Sequence, residues 1–200
     1  MEKNKAVFLD RDGTICEEVG YIQSVEQMKL IPRSGEAVRL LNKSGFKIVV
    51  ITNQAGVARG FFPESRLEEL HAELRRQLRK EGAYVDAIYY CPHHPTEGTA
   101  PYLQECDCRK PATGLLHRAA ADLKLDLSSS YMIGDHFSDV ECGQRVGATT
   151  VLLLTGHGRA TLAKRETWPQ PPSCIAGDLY EAVQWVMRHA ERENESNQGP

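Results

Sequence analysis

The sequence has little net charge, no basic run and no long hydrophobic segment, and each absence removes a class of function. Its 24 lysines and arginines nearly balance 27 acidic residues, giving a formal net charge of −3. Without a basic stretch, a nucleic-acid partner is disfavoured. All apolar runs are too short to cross a membrane, and the N-terminus MEKNKAVFLD lacks the apolar core of a signal peptide. We therefore expect a cytoplasmic protein with no membrane partner.

Six cysteines occur in a chain without a secretion signal, so a disulfide framework is not expected. Cys91, Cys106 and Cys108 fall within 18 residues, and His93 and His94 lie between them. Three thiolates and one imidazole form a closed tetrahedral zinc site. The spacing does not choose between the two histidines, and reactive surface thiols are the alternative. We favour zinc, because a long proline-rich loop without a core of its own needs such a cross-link.

Short apolar runs alternate with amphipathic helical patterns along the chain. Strands are predicted at 6–9, 46–52, 87–91, 131–134 and 149–155. Helices are predicted at 34–44, 63–82, 113–124, 138–146 and 178–191, with capping boxes at Ser65/Glu68, Ser138/Glu141 and Asp178/Glu181. This alternation indicates an α/β fold, a Rossmann-like parallel sheet with helices on both faces. One domain is expected over 1–191, with a zinc-binding loop at 91–108 and a disordered polar tail at 192–200.

Polar side chains follow the predicted strands at the point where each strand ends. They are Asp10 and Asp12, then Thr52, Asn53, Gln54 and Arg59, then Arg109 and Lys110, and finally Asp135 and Asp139. Because the carboxyl ends of parallel strands share one edge of the sheet, we expect these side chains to converge. Any single motif has the alternative reading of a solvated turn; four of them at one edge indicate a site.

The chemistry of this set fits hydrolysis of a phosphate ester. Clustered carboxylates need a cation, and Mg²⁺ prefers one or two carboxylates with phosphate oxygens and water. One aspartate can accept a phosphoryl group while a second transfers protons. A hydroxyl group and a lysine can stabilise the equatorial oxygens during the transfer. The first strand would thus carry two acids with different roles, Asp10 and Asp12.

The motifs DRDGT (10–14), TNQAG (52–56), Lys110 and GDHFSD (134–139) resemble those of the haloacid dehalogenase-like phosphatases, in the same order. The stretches TNQAGVARG, YYCPHHP, CDCRKP and YMIGD are most similar to the D-glycero-D-manno-heptose 1,7-bisphosphate 7-phosphatase branch. The likeness covers about residues 5 to 160. Histidinol-phosphate phosphatases share nearly all of these motifs, so the resemblance implies the reaction and leaves these two substrates open.

The resemblance also implies roles for individual residues. Asp10 would be the nucleophile and Asp12 the general acid/base, and Mg²⁺ would be held by Asp10, the main-chain carbonyl of Asp12, and Asp135. The implied substrate-binding residues are Thr52, Asn53, Gln54, Arg59, Arg109 and Lys110. The implied zinc ligands are Cys91, His93, Cys106 and Cys108. The chain departs from close relatives at His136, where they commonly have lysine, and this leaves any charge at that position open.

The remaining expectations concern substrate access, partners and residues outside the motifs. The chain has no room for a large cap domain, so the substrate entrance should be open. A small phosphorylated sugar is the expected partner, and a monomer is expected. Arg11 and His157 are interpreted as solvated surface groups, and Trp168 as a packing residue. A zinc-stabilised binding or regulatory module without turnover is the non-enzymatic alternative.

Overall fold

A parallel sheet of six strands forms the centre of the computed structural model, which describes residues 4–197. The strands are β1 (Ala6–Leu9), β2 (Lys47–Asn53), β3 (Ala87–Cys91), β4 (Tyr131–Gly134), β5 (Thr149–Leu153) and β6 (Cys174–Ala176). Their order in the sheet is β3-β2-β1-β4-β5-β6. The chain therefore reverses its direction of winding between β1 and β4, which is where open α/β sheets form a ligand crevice. The five predicted strands and the Rossmann-like fold class are confirmed.

The helices are α1 (Ser34–Lys43), α2 (Ser65–Lys80), α3 (Gly114–Leu123), α4 (Phe137–Arg145), α5 (Gly158–Leu162) and α6 (Leu179–Asn197). They cover both faces of the sheet, because alternate residues of β1 point into two separate cores. Val7 and Leu9 pack in the core shared with α1, α2 and α6. Ala6 and Phe8 pack in the core shared with α3 and α4. Within residues 4–197, no helix has both the length and the apolar character required to span a bilayer.

Two of the predicted helix starts are corrected. In α2 the N-cap residue is Glu64, whose side chain makes no capping hydrogen bond, so the predicted box beginning at Ser65 is wrong. In α4 the helix begins one residue earlier than predicted, and extended His136 is the N-cap. Its side chain accepts a hydrogen bond from the Ser138 amide, and the Asp139 carboxylate accepts one from the His136 amide. The capping box of α4 is therefore His136/Asp139, not Ser138/Glu141.

The last helix starts at Leu179, one residue later than predicted, and ends later than predicted. Asp178 Oδ1 accepts a hydrogen bond of 2.8 Å from the Glu181 amide, and α6 continues to Asn197. The prediction of a disordered tail at 192–200 is thus wrong for 192–197, which belong to α6. Residues 198–200 lie outside the described residues. Arginine and glutamate favour helices, and His189 lies 3.8 Å from Glu193 one turn later.

Candidate active site

A cavity of about 570 Å³ opens at the carboxyl edge of the sheet, where β1, β2 and β4 end. The predicted site residues that line it are Asp10, Asp12, Asn53, Gln54, Arg109, Lys110 and Asp135, and Asp139 joins them. Two other predicted residues within 4–197, Thr52 and Arg59, lie outside this lining. The convergence predicted from the strand ends is therefore present for most of the set.

Three carboxylates and one lysine form the floor of the site. Asp10, Asp135 and Asp139 each offer an oxygen atom, and these oxygens all lie within 4.8 Å of one another. Lys110 Nζ lies 2.9 Å from Asp10 Oδ1 and 2.6 Å from Asp139 Oδ1. The same ammonium donates a hydrogen bond of 2.7 Å to the carbonyl of Ile51 in β2. The sequence predicted Asp139 at this edge of the sheet without a role. In the structure its carboxylate holds the Lys110 ammonium beside Asp10, the candidate nucleophile.

Burial dominates the electrostatics of this floor. It raises the pKa of Asp10 to about 6, although the charge of Lys110 opposes the shift. Burial, reinforced by the charges of Asp10 and Asp139, raises the pKa of Asp135 to about 8. Burial alone would lower the pKa of Lys110, but the two carboxylates beside it raise that pKa instead. The three carboxylates of the floor thus carry more negative charge than Lys110 alone can neutralise. Their hard oxygen donors fit a divalent cation such as Mg²⁺.

Asp135 is fixed by the segment that follows β5. The His157 amide donates a hydrogen bond of 2.7 Å to Asp135 Oδ2, and Thr161 Oγ1 donates one of 3.1 Å to the Asp135 carbonyl. Gly13, with φ of +73°, packs so closely that a Cβ atom there would lie 2.2 Å from Asp135 Oδ2. The His157 side chain is 61% exposed, as predicted for a surface histidine. What the sequence interpretation missed is that its main-chain amide orients this acid and that the residue lines the cavity. The sequence signal for this role was the pair of glycines on either side of His157, shortly after the end of β5.

Arg11 is the largest departure from the sequence interpretation, since its side chain is only 1% exposed. Its guanidinium donates hydrogen bonds of 2.9 and 2.7 Å to the two carboxylate oxygens of Asp12. Gln54 Nε2 donates 2.9 Å bonds to Asp12 Oδ2 and to Thr52 Oγ1. Thr52 and Gln54, both implied as substrate-binding residues, thus support the second acid. The prediction of a solvated Arg11 is wrong because the residue follows a strand that is buried on both faces.

Asn53 and Arg109 connect the cavity to the cysteine loop. The Asn53 side chain donates to the Lys110 carbonyl at 3.1 Å and accepts from the Lys110 amide at 3.0 Å. Arg109 Nη1 donates a hydrogen bond of 3.2 Å to the His93 carbonyl. The position of the lysine therefore depends on both β2 and the loop.

The Arg59 side chain is already paired with other side chains of the protein. It forms an ion pair of 3.0 Å with Glu97 and donates a hydrogen bond to the Tyr21 hydroxyl. Its implied contact with substrate would require it to leave these partners.

The four predicted zinc ligands lie together. One donor atom from each of Cys91, His93, Cys106 and Cys108 falls within 4.8 Å of all the others. His93 Nδ1 lies 3.4 Å from Cys108 Sγ, whereas His94 Nδ1 accepts hydrogen bonds from loop amides. Burial raises the pKa of Cys108 to about 11. Such buried thiols become thiolates when a soft cation binds, so three sulfur atoms and one nitrogen fit Zn²⁺.

His136 supplies no positive charge to the cavity at neutral pH. Burial lowers the pKa of its imidazole below the ordinary value, against the opposing charge of Asp139. Nδ1 also accepts the hydrogen bond that caps α4, which requires that nitrogen to be unprotonated. The question left open by the sequence at this position is thereby answered.

Comparisons with known proteins agree with this geometry. The family model described as HAD-hydrolase-like matches residues 107–182. The D-glycero-D-manno-heptose-1,7-bisphosphate 7-phosphatase of Chlorobaculum tepidum is 42% identical over 189 residues, which cover 92% of this chain and 94% of that protein. The Escherichia coli K12 D-glycero-beta-D-manno-heptose-1,7-bisphosphate 7-phosphatase is 42% identical over 152 residues, covering 76% of this chain and 80% of that protein. The crystal structure of D,D-heptose 1,7-bisphosphate phosphatase from B. bronchiseptica, complexed with magnesium and phosphate, superposes with a TM-score of 0.82 at 31% identity, covering 93% of this chain and 99% of that one.

Proposed function

Because the chain belongs to the heptose-1,7-bisphosphate 7-phosphatase family of haloacid dehalogenase-like hydrolases, we propose that it removes the 7-phosphate of D-glycero-D-manno-heptose 1,7-bisphosphate through an aspartyl-phosphate intermediate. The observation that carries this proposal is the position of Asp10. Asp10 directly follows β1 and lines the cavity, and its carboxylate lies 2.9 Å from the Lys110 ammonium within a cluster of three acids. A nucleophile, a phosphoryl-binding cation and a cation-binding acid are thus within reach of one phosphate group.

The reaction follows from the two acids that come directly after β1. The Asp10 carboxylate attacks the phosphorus atom, the bond from phosphorus to the sugar oxygen breaks, and Asp12 gives its proton to that oxygen. Water then attacks the phosphorus of the aspartyl phosphate, and Asp12 takes the proton of the water. The bond between phosphorus and the Asp10 oxygen breaks, which releases inorganic phosphate and restores the carboxylate. Lys110 neutralises charge on the equatorial oxygens in both steps.

Mg²⁺ would be held by Asp10, Asp135 and the main-chain carbonyl of Asp12. It would supply the positive charge that the floor of acids lacks and would polarise the transferring phosphoryl group. Asp139 is paired with Lys110 and with the His136 amide, so we assign it a supporting position outside this set. The magnesium ligand in the B. bronchiseptica phosphatase supports the same cation here.

We further propose that Zn²⁺ bound by Cys91, His93, Cys106 and Cys108 positions the loop. Arg109 and Lys110 follow the last ligand directly. A closed set of four ligands leaves no position for substrate, so the ion would act only through the residues that it holds in place.

Cys108→Ser should lose the zinc and a large part of the catalytic efficiency, while activation by magnesium persists. The physical reason is that displacement of Lys110 weakens phosphoryl binding, whereas Asp10 and Asp135 stay on the sheet. We would measure zinc by elemental analysis, expecting one ion per chain in the parent protein, together with kcat/KM and the magnesium dependence. Cys174→Ser, remote from the cluster, is the matched control and should keep its zinc. A zinc-free Cys108→Ser protein with full kcat/KM would limit the metal to a stability role.

The substrate is tested by comparing rates of phosphate release. The candidates are both anomers of the heptose bisphosphate, histidinol phosphate and generic sugar monophosphates. We expect kcat/KM for one heptose bisphosphate anomer to exceed that of the other compounds by about tenfold or more, because contacts beyond the reacting phosphate add transition-state binding. Preference for histidinol phosphate would establish the alternative phosphatase. Absence of phosphate release from every compound, by folded protein with magnesium, would favour a binding or regulatory module.

A further inference from the structure

We infer that Arg11 is a positioning residue that holds the Asp12 carboxylate for the second half of the reaction, in which water attacks the aspartyl phosphate. This inference rests on the proposed function and goes beyond it, because the proposed mechanism assigns no role to Arg11. The residue touches Asp12 and Gln54, and it acts through Asp12.

The geometry is that of a two-point clamp. Arg11 Nε and Nη2 donate to Oδ1 and Oδ2 of Asp12 at 2.9 and 2.7 Å, so both carboxylate oxygens are fixed by one planar group. Nη2 also donates to Gln54 Oε1 at 3.0 Å, and Gln54 Nε2 donates back to Asp12 Oδ2 at 2.9 Å. Three side chains thus form a closed ring of hydrogen bonds. Such a bidentate contact fixes orientation as well as distance.

The burial of Arg11 shows why its charge acts on Asp12. The Arg11 side chain is 1% exposed, whereas the Asp12 side chain keeps 19% of its surface exposed toward the cavity. A guanidinium is always charged, and a buried charge is strongly unfavourable unless it is paired. Asp12 is the carboxylate that pairs with it. The protein therefore maintains a buried cation whose interactions are directed at one catalytic acid.

The two halves of the reaction depend on this position differently. A good leaving group departs from phosphorus without a proton, so phosphorylation of Asp10 by p-nitrophenyl phosphate does not need Asp12. Hydrolysis of the aspartyl phosphate does, since Asp12 must take a proton from the attacking water. Loosening Asp12 should therefore slow the second half and leave the first half intact. A carboxylate that is misplaced by an ångström can lose about 100-fold in rate.

The test uses Arg11→Met and Arg11→Lys with p-nitrophenyl phosphate and saturating magnesium. For Arg11→Met we expect kcat to fall by about 10- to 100-fold. KM should fall in parallel, so that kcat/KM stays near the parent value, and a burst of one p-nitrophenol per active site should precede the slow steady state. Arg11→Lys should recover part of the rate, because it keeps the charge and loses the planar fork. Cys16→Ala, which removes buried volume from the same turn, should behave like the parent protein.

Each outcome decides the inference. If folded Arg11→Met shows no burst, and kcat/KM falls as much as kcat, Arg11 has only a structural role. If the variants do not fold, the parent protein with beryllium fluoride bound at Asp10 as an aspartyl-phosphate mimic replaces them. A crystal structure with Asp12 still bonded to Arg11 and Gln54 supports the clamp, and one with Asp12 turned away overturns it. Failure of the parent to hydrolyse any phosphate ester would instead contradict the proposed function.

Discussion

Replacing Asp10 with asparagine should abolish turnover while the fold persists. The substitution keeps the size of the side chain and removes the negative charge that attacks phosphorus, so we expect a loss of about 10⁴-fold or more in kcat. Burial raises the pKa of Asp10 to about 6, which means that its charge is unfavourable in the folded protein. Removing that charge also relieves repulsion with Asp135 and Asp139 and offsets the lost pair with Lys110. The melting temperature should therefore remain close to that of the parent.

The measurement is steady-state phosphate release together with thermal unfolding. Asp122→Asn is the matched control, because Asp122 is an aspartate on the surface of α3 that accepts a hydrogen bond from Tyr89 far from the cavity floor. It should retain the parent rate. Substantial hydrolysis by folded Asp10→Asn protein would remove Asp10 as the nucleophile.

Lys110→Met should produce the second largest loss, and it should affect both rate and stability. The ammonium lies 2.9 Å from Asp10 and 2.6 Å from Asp139, so its removal leaves buried carboxylates without their cation. Breaking a buried pair in this way costs about 3 to 5 kcal/mol of folding free energy. Removal of a donor from the phosphoryl group should lower kcat by about 10²- to 10³-fold.

Denaturant unfolding, elemental analysis and kinetics would be compared for Lys110→Met and Lys47→Met. Lys47 also forms a lysine–aspartate pair, with Asp86 at 2.8 Å, but its side chain is 41% exposed. A pair whose lysine reaches solvent contributes about 1 kcal/mol or less, and Asp86 keeps its hydrogen bond from the Ile48 amide, so the control should remain active and stable. Lys110→Met should retain its zinc, which separates loss of the lysine from loss of the loop. Unchanged kcat in a folded Lys110→Met protein would contradict the role of the lysine at the phosphoryl group.

The sheet and the convergence of the strand ends were predictable because they follow from local patterns. Each buried strand is a short apolar run, and parallel connections bring the ends to one edge. The strand β6 was missed because it has three residues, one of which, Ile175, is 43% exposed. Such a strand has no apolar run to detect.

The features that were missed depend on contacts between distant segments. The burial of Arg11 results from packing at the end of β1, and its pairing with Gln54 joins residues 43 positions apart. The contact of His157 with Asp135 depends on how the chain turns after β5. The capping box predicted in α4 lies two residues too late in the sequence, because His136 takes the extended conformation of an N-cap. Local sequence rules carry no information on these tertiary contacts.

Chemical trapping of the phosphorylated enzyme is the most direct test of Asp10 as the nucleophile. Borohydride reduces an aspartyl phosphate to homoserine with release of phosphate, and mass spectrometry of peptides then locates the altered residue. We expect homoserine at position 10 when the parent protein is quenched during turnover, and unmodified aspartate there when substrate is omitted. Homoserine at another aspartate, or continued turnover with Asp10 unmodified in every quenched sample, would contradict the role of Asp10 as the nucleophile.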